Sequence, residues 1–261
     1  MLRPRIIPCL LIQDGGLVKT VKFKDPKYVG DPINAVKIFN EKEADELVVL
    51  DIDATAKNNE PNYKQIAFLA AECRMPLCYG GGIKTAQQAK KIISLGVEKV
   101  AVSAAAIERP ELVTEIAEEI GKQSVVIVLD VKKRMLSSAF DVFTHNGTKN
   151  TKKNVLDVAV EMAAKGAGEI VVNSIDNDGK MSGYEIELVK KLRELVKIPI
   201  TVMGGAGSLD DIGKVIANCG VVGVAAGSLF VFKGALRAVL INYPTPKQKD
   251  DLIRSSLNTS L

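Results

Sequence analysis

Short runs of β-branched and other apolar residues recur along the chain, separated by longer segments whose apolar positions follow a helical spacing. The runs are Ile6 to Ile12, Glu46 to Ile52, Pro76 to Tyr79, Lys99 to Val102, Ser124 to Leu129, Glu169 to Asn173, Ile198 to Met203 and Gly223 to Ala226. Between them lie segments with readable helix starts and stops: Asp31-Pro32, Thr85 ahead of Ala86 to Leu95 with Gly96 as a stop, Pro110-Glu111 up to Gly121, and Ser208 before an acidic first turn. Eight strand-helix units in about 250 residues predict a parallel sheet closed into a single (β/α)8 TIM barrel. A doubly wound sheet shows the same alternation, but no G-x-G-x-x-G follows the first strand.

The pattern also repeats at half length. Tyr79-Gly80-Gly81-Gly82-Ile83 realigns with Met203-Gly204-Gly205-Ala206-Gly207, Ala44 to Val49 with Ala167 to Val172, and Ile7-Pro8-Cys9-Leu10-Leu11 with Val126-Ile127-Val128-Leu129-Asp130. These nearly equal offsets predict two fused half-barrels, residues 1–122 and 123–242, in one domain over residues 1–261, with a helical tail at 243–261. The segment Val21 to Val29 reads as a loop.

Composition narrows the chemistry. Thirty-five Lys and Arg against 31 Asp and Glu leave a net charge of +4 with no basic block, which speaks against nucleic acid and suits a small anionic substrate. A single histidine, His145, excludes His-rich metal sites, and Thr144-His145-Asn146-Gly147 reads as a turn. Cys9, Cys73, Cys78 and Cys219 show no paired spacing and read as buried thiols of a reducing cytosol. Pro8 and Asp14 interrupt the apolar start, so it does not read as a signal peptide, and Val221 to Phe232 is too short to span a bilayer. The expectation is a cytoplasmic protein with no cofactor and no metal.

In such a barrel the chemistry belongs where strands run into the following loops. Gly81 and Gly82 after the third strand, with Ser103 after the fourth, predict one phosphate pocket. Gly205 and Gly207 after the seventh, with Gly227 and Ser228 after the eighth, predict another. Two pockets half a repeat apart imply a ligand with a phosphate at each end. The acids at strand ends are Asp51, Asp53, Asp130, Asp176 and Asp178. Asp130, closing an apolar strand, is a candidate general acid or base; Asp178 divides evenly between that role and an Asx turn. The repeat puts Leu11 opposite Asp130, so a symmetric pair of carboxylates has one member only. Arg5, Glu46, Lys99 and Glu169 stand at the other ends of strands, where they can form either a salt-bridge ring plugging the barrel or a polar gate across an axial passage.

Arg5-Ile6-Ile7-Pro8-Cys9-Leu10, Asp14-Gly15, Gly30-Asp31-Pro32, Asp45-Glu46-Leu47, Gly80-Gly81-Gly82-Ile83, Val142-Phe143-Thr144, Gly166-Ala167-Gly168-Glu169-Ile170, Ser174-Ile175-Asp176, Asp178-Gly179 and Gly204-Gly205-Ala206-Gly207 resemble, over nearly the whole chain, the HisF family, the cyclase subunit of imidazole glycerol phosphate synthase. The resemblance implies a lyase-type barrel that binds a doubly phosphorylated ribonucleotide at its top and a HisH-like glutaminase at its bottom, with ammonia passing between them. It places a catalytic aspartate at Asp130, acids of the mouth at Asp178 and Asp51, and a loop lysine over the substrate at Lys19. The ammonia gate falls at Arg5, Glu46, Lys99 and Glu169, and glutaminase docking at Glu98. Leu11 stands at the family's other catalytic aspartate, Ser103 at an Asn, Asn173 at a Thr and Met203 at a Ser. With Leu10-Leu11-Ile12, Leu50-Asp51-Ile52-Asp53 and Ala238 to Pro246, the chain resembles the branch linked to acetamidino modification of surface-polysaccharide (lipopolysaccharide) sugars. That branch implies an ATP-dependent sugar amidotransferase as a further partner, with ammonia delivered for amidination. The alternatives are the histidine-pathway cyclase and a non-catalytic scaffold that activates the glutaminase.

Overall fold

The computed structural model describes residues 3–135, 137–234 and 236–258. Eight parallel strands close on themselves: β1 (Arg5–Gln13), β2 (Leu47–Asp51), β3 (Leu77–Gly80), β4 (Lys99–Val102), β5 (Val125–Lys133), β6 (Glu169–Ser174), β7 (Ile200–Met203) and β8 (Gly223–Ala226). Each pairs with its neighbours in chain order and β8 pairs with β1, Ile6 lying against Val224, which completes a TIM barrel. Eight helices follow the strands in turn: α1 (Pro32–Glu41), α2 (Tyr63–Glu72), α3 (Ala86–Ser94), α4 (Glu111–Ile120), α5 (Val155–Lys165), α6 (Ile186–Leu195), α7 (Leu209–Cys219) and α8 (Pro246–Asn258).

The helices begin where side chains replace missing backbone partners. Asp31 accepts from Asn34 N–H at 2.9 Å and Pro32 takes the first helical position. Ser208 and Asp211 form a reciprocal capping box at the start of α7. Two apolar layers follow from strands buried on both faces. The outer one joins sheet to helices; the inner one fills the barrel axis with residues from all eight strands, from Ile7 and Cys9 of β1 to Ala225 of β8. Of the four cysteines, none in a disulfide, Cys73 is only half-buried, because it follows α2 on the outer rim.

Two segments depart from the sequence reading. Val21 to Val29 is no loop: strands Gly16–Val21 and Lys24–Gly30 form an antiparallel hairpin continuing from β1, turned at Lys22 and Phe23, both with positive φ. A second hairpin, Phe140–Thr144 with Lys149–Asn154, continues from β5 in the same way. Alternation is missing from Lys24–Gly30, whose first five residues are all exposed, and from the lysine-rich 149–154 strand, so neither shows a strand period.

The tail is helical over Pro246–Asn258, while residues 259–261 lie outside the described residues. Tyr243 Oη donates to Ile6 O at 2.7 Å, and Lys249 Nζ donates to Asp45 Oδ1 and Glu43 O, each at 2.7 Å. These bonds clasp the lower end of β1. Among the described residues no helix is long and apolar enough to cross a membrane.

Candidate active site and the polar ring below it

The upper ends of the strands open into a cavity of about 1310 Å3, counted out to solvent. It lies where a barrel of parallel strands places its chemistry. Asp130, Asp178, Asp51, Lys19 and Asn173 all line it, with Leu11 on β1 across from β5.

Asp130 Oδ1 accepts a 2.9 Å hydrogen bond from Asn173 Nδ2, the two residues being paired across β5 and β6. Burial pushes the Asp130 carboxyl up to about 7; the Asn173 N–H opposes this and the Asp178 charge adds to it. A carboxyl poised there exchanges a proton near neutrality, as general acid-base chemistry requires. Burial also raises Asp178, against hydrogen bonds from Thr20 Oγ1 at 2.8 Å and Phe23 N at 3.2 Å. Its carboxylate therefore holds the first hairpin over the cavity. Asp51 caps the short helix 52–56 through Asp53 N and Ala54 N, at 3.0 and 3.1 Å, and burial raises it too.

Lys19 is 5% exposed. Burial lowers its ammonium, and Nζ donates to Cys9 O at 2.7 Å, just above the inner apolar layer. A Cβ on Gly227 would lie 2.5 Å from that Nζ, so glycine is needed for Lys19 to take this place.

Gly81, Gly82 and Ser103 open on one side of the cavity, and Gly205, Gly227 and Ser228 open on the other. Gly81, at φ +127°, runs so near β2 that a Cβ would meet Asp51 O at 2.5 Å. Two expected residues lie outside this arrangement. Asp176 does not line the cavity: its Oδ2 accepts from Lys133 N at 3.2 Å, tying the loop after β6 to the end of β5. Gly207 likewise turns away, its N–H donating to Asp211 Oδ2 at 3.0 Å within the cap of α7. Conversely His145, read as a turn residue, does sit in the hairpin turn but also lines the cavity, as do Phe23 and Asn146. Nothing in the sequence signalled this, since the hairpins that carry them were not legible.

At the opposite end of the axis four charges close a ring. Arg5 pairs with Glu46, and with Glu169 at 2.7 Å; Lys99 Nζ bridges Glu46 at 2.8 Å and Glu169 at 2.9 Å. Thr201 Oγ1 donates to Glu169 as well. Although burial works against each charge, the opposite charges hold Arg5 and Lys99 above, and Glu169 below, their ordinary values. Glu98, exposed beside this ring, accepts from Leu77 N at 2.6 Å. Among the described residues, no three His, Cys, Asp or Glu side chains converge to hold a metal.

Residues 5–237 match the family model described as histidine biosynthesis protein. A protein of Leptospira borgpetersenii, provisionally named imidazole glycerol phosphate synthase subunit HisF, is 60% identical over 97% of this chain and 99% of its own. One of Pseudomonas aeruginosa, with the same provisional name and the designation hisF2, is 53% identical over 96% and 99%. The imidazole glycerol phosphate synthase subunit HisF of Streptomyces avermitilis is 41% identical over 89% and 92%.

Proposed function

The chain belongs to the histidine biosynthesis protein family, in its HisF group, and from that membership we propose that it is an ammonia-using synthase subunit. In this reading a HisH-like glutaminase docks at the lower face, with Glu98 among its contacts. Ammonia passes the ring of Arg5, Glu46, Lys99 and Glu169, rises along the apolar axis and emerges at Asp130. The glycine loops on opposite sides of the mouth would bind phosphate groups of a small ligand, with Lys19, Asp51 and Asp178 around it. The acceptor we favour is the N-acetyl group of a surface-polysaccharide sugar, whose carbonyl oxygen leaves after ATP-dependent activation by a sugar amidotransferase as the ammonia turns the group into an acetamidino group.

The observation that carries this choice is that Asp130 has no carboxylate facing it from β1, Asp51 and Asp178 lying elsewhere in the mouth. Asp130 on β5 faces β1 across the barrel, and there Leu11 packs with Leu50 against the inner apolar layer. Leu11 transfers no proton. Ring closure on a ribonucleotide that needs both an acid and a base at the mouth would lose on the order of 10² to 10⁴ in rate without one of them. The polar ring below, by contrast, has all its members paired. The designation hisF2 of one relative also fits a copy kept beside another.

The second reading is the histidine-pathway cyclase, favoured by the two opposed glycine loops and by the relatives' names. Turnover of the histidine-pathway ribonucleotide at saturating ammonium separates the two. We expect none from the wild type and a gain from Leu11→Asp. Wild-type turnover that disappears in Asp130→Asn would establish the cyclase and remove the sugar reading.

A further inference from the structure

A buried acceptor on a core amide is normally matched by a donor, because leaving it unpaired costs free energy comparable to a lost hydrogen bond. Asn173 breaks this rule inside the cavity. The residue is 5% exposed, its Nδ2 is used on Asp130, and its Oδ1 has no hydrogen-bond partner. The amide cannot turn to relieve this, since an ionised Asp130 only accepts and so fixes the NH2 end toward itself. The residue after β7, Gly204, runs close by: a Cβ there would meet Ser174 O at 2.6 Å and Asn173 Oδ1 at 3.0 Å. Asp130 brings a second carboxylate oxygen for which the described residues supply no hydrogen bond. Two acceptors thus adjoin at the upper end of the apolar axis, whose inner layer includes Val128, Val171 and Met203, neighbours of Asp130 and Asn173 along β5, β6 and β7.

We propose that Asn173 Oδ1 and Asp130 form the station that holds the nitrogen arriving through the barrel: ammonia takes the proton of the Asp130 carboxyl and is held as ammonium, donating one N–H to the amide oxygen and another to the carboxylate. The source of that ammonia rests on the function proposed above; the station itself does not. What recommends this ligand is its chemistry: it carries only donors, and bears the charge that the carboxylate attracts. Passing one proton to the carboxylate turns ammonium and carboxylate into ammonia and carboxylic acid, with no other reactant, and frees the nitrogen lone pair for attack. Asn173 acts here as a binding residue, orienting nitrogen that Asp130 deprotonates. A threonine at this position would offer a single hydroxyl to do both jobs, donating to Asp130 and accepting from the nitrogen. The amide divides them between two atoms and leaves its acceptor without a partner.

The test uses ammonium chloride as the probe on the whole ¹⁵N-labelled chain at a pH above that at which Asp130 ionises. The Asn173 side-chain NH2 signal is assigned by its loss in Asn173→Ser. We expect it to shift and saturate with ammonium chloride, and to stay put with equal tetramethylammonium or potassium chloride, which bring charge without N–H donors. Asn173→Leu, of similar size, is read through the backbone signal of Asp130. It should weaken ammonium binding about tenfold to a hundredfold, the range for one hydrogen bond to a charged group. Asn173→Ser should retain part of the affinity, because a hydroxyl both donates and accepts. Equal shifts in all three salts, or none in any, overturn the station. A station that fails while glutaminase-derived ammonia still emerges at the mouth leaves the proposed function standing; absence of glutaminase coupling with ammonium still bound does the reverse.

Discussion

Replacing Glu169 by alanine is expected to destabilise the barrel by about 3 to 5 kcal/mol, because it removes a buried carboxylate and leaves two half-buried cations sharing one. Glu169 is 5% exposed and takes hydrogen bonds from Arg5, Lys99 and Thr201 together. Its removal leaves Arg5 and Lys99 both turned to Glu46, in surroundings where burial already opposes their charge. For a chain of this size the loss corresponds to a fall in Tm on the order of 10 °C. The double variant Glu169→Leu with Lys99→Met removes one charge of each sign and leaves Arg5 with Glu46. An ion pair replaced by apolar groups of similar volume is close to neutral, so this variant should recover most of the lost stability. Thermal denaturation of the two variants beside wild type decides the matter. A single variant within about 1 kcal/mol of wild type would mean that water screens the ring as it does a surface pair.

The second large effect concerns Asp130, and its sign is opposite. In an unfolded chain an aspartate ionises near pH 4, whereas burial holds Asp130 up to about 7 in the folded one. Between those values the folded chain keeps a proton that the unfolded chain has released. Asp130 therefore favours folding most below about pH 4, and this contribution is lost as pH rises toward 7. Asp130→Asn removes the titration while keeping an oxygen for Asn173 Nδ2. Denaturant unfolding at about pH 5 and about pH 8 should show the variant gaining on wild type with rising pH, by on the order of 2 to 4 kcal/mol at the upper value. A constant difference between the two proteins across that range would mean that Asp130 ionises as an ordinary aspartate. The same substitution is expected to abolish nitrogen transfer, so stability and activity should move in opposite directions at one residue.

The barrel was legible because its strands bury both faces, and such strands announce themselves as apolar runs that need no knowledge of their neighbours. Leu77–Gly80 and Gly223–Ala226 are only four residues long, yet both stand out in this way. The two hairpins were not legible, since Lys24–Gly30 and Lys149–Asn154 are exposed on most positions and owe their pairing to strands already in place. Much of the mouth is made by those hairpins, so its details stayed hidden as well. Asp178 and Asp176 sit two residues apart in one turn, and only the position of Thr20 and Phe23 makes the first a cavity residue and leaves the second to Lys133. Gly207 carries the glycine spacing read as a phosphate loop, while its N–H donates into the cap of α7, a contact the spacing does not announce. The unpaired oxygen of Asn173 is a matter of three neighbouring strands and their glycine, which no spacing along the chain encodes.

The pairing of β1 has a consequence for how the molecule comes into being. One flank is β2, made soon afterwards; the other is shared by the strand Gly16–Val21, against Leu11 to Gln13, and β8, in which Val224 is the partner of Ile6. No nascent chain shorter than 223 residues holds both flanks, and the clasp by Tyr243 and Lys249 is made later still. The lower half of β1, Arg5 to Pro8, therefore waits with one edge bare until β8 has been made. Contacts this distant along the chain carry the largest loop-closure entropy, which makes sealing β1 against β8 a slow, late event. Until then the bare edge is a template for other strands, including the same edge on a sister chain, so crowding of nascent chains bears on yield.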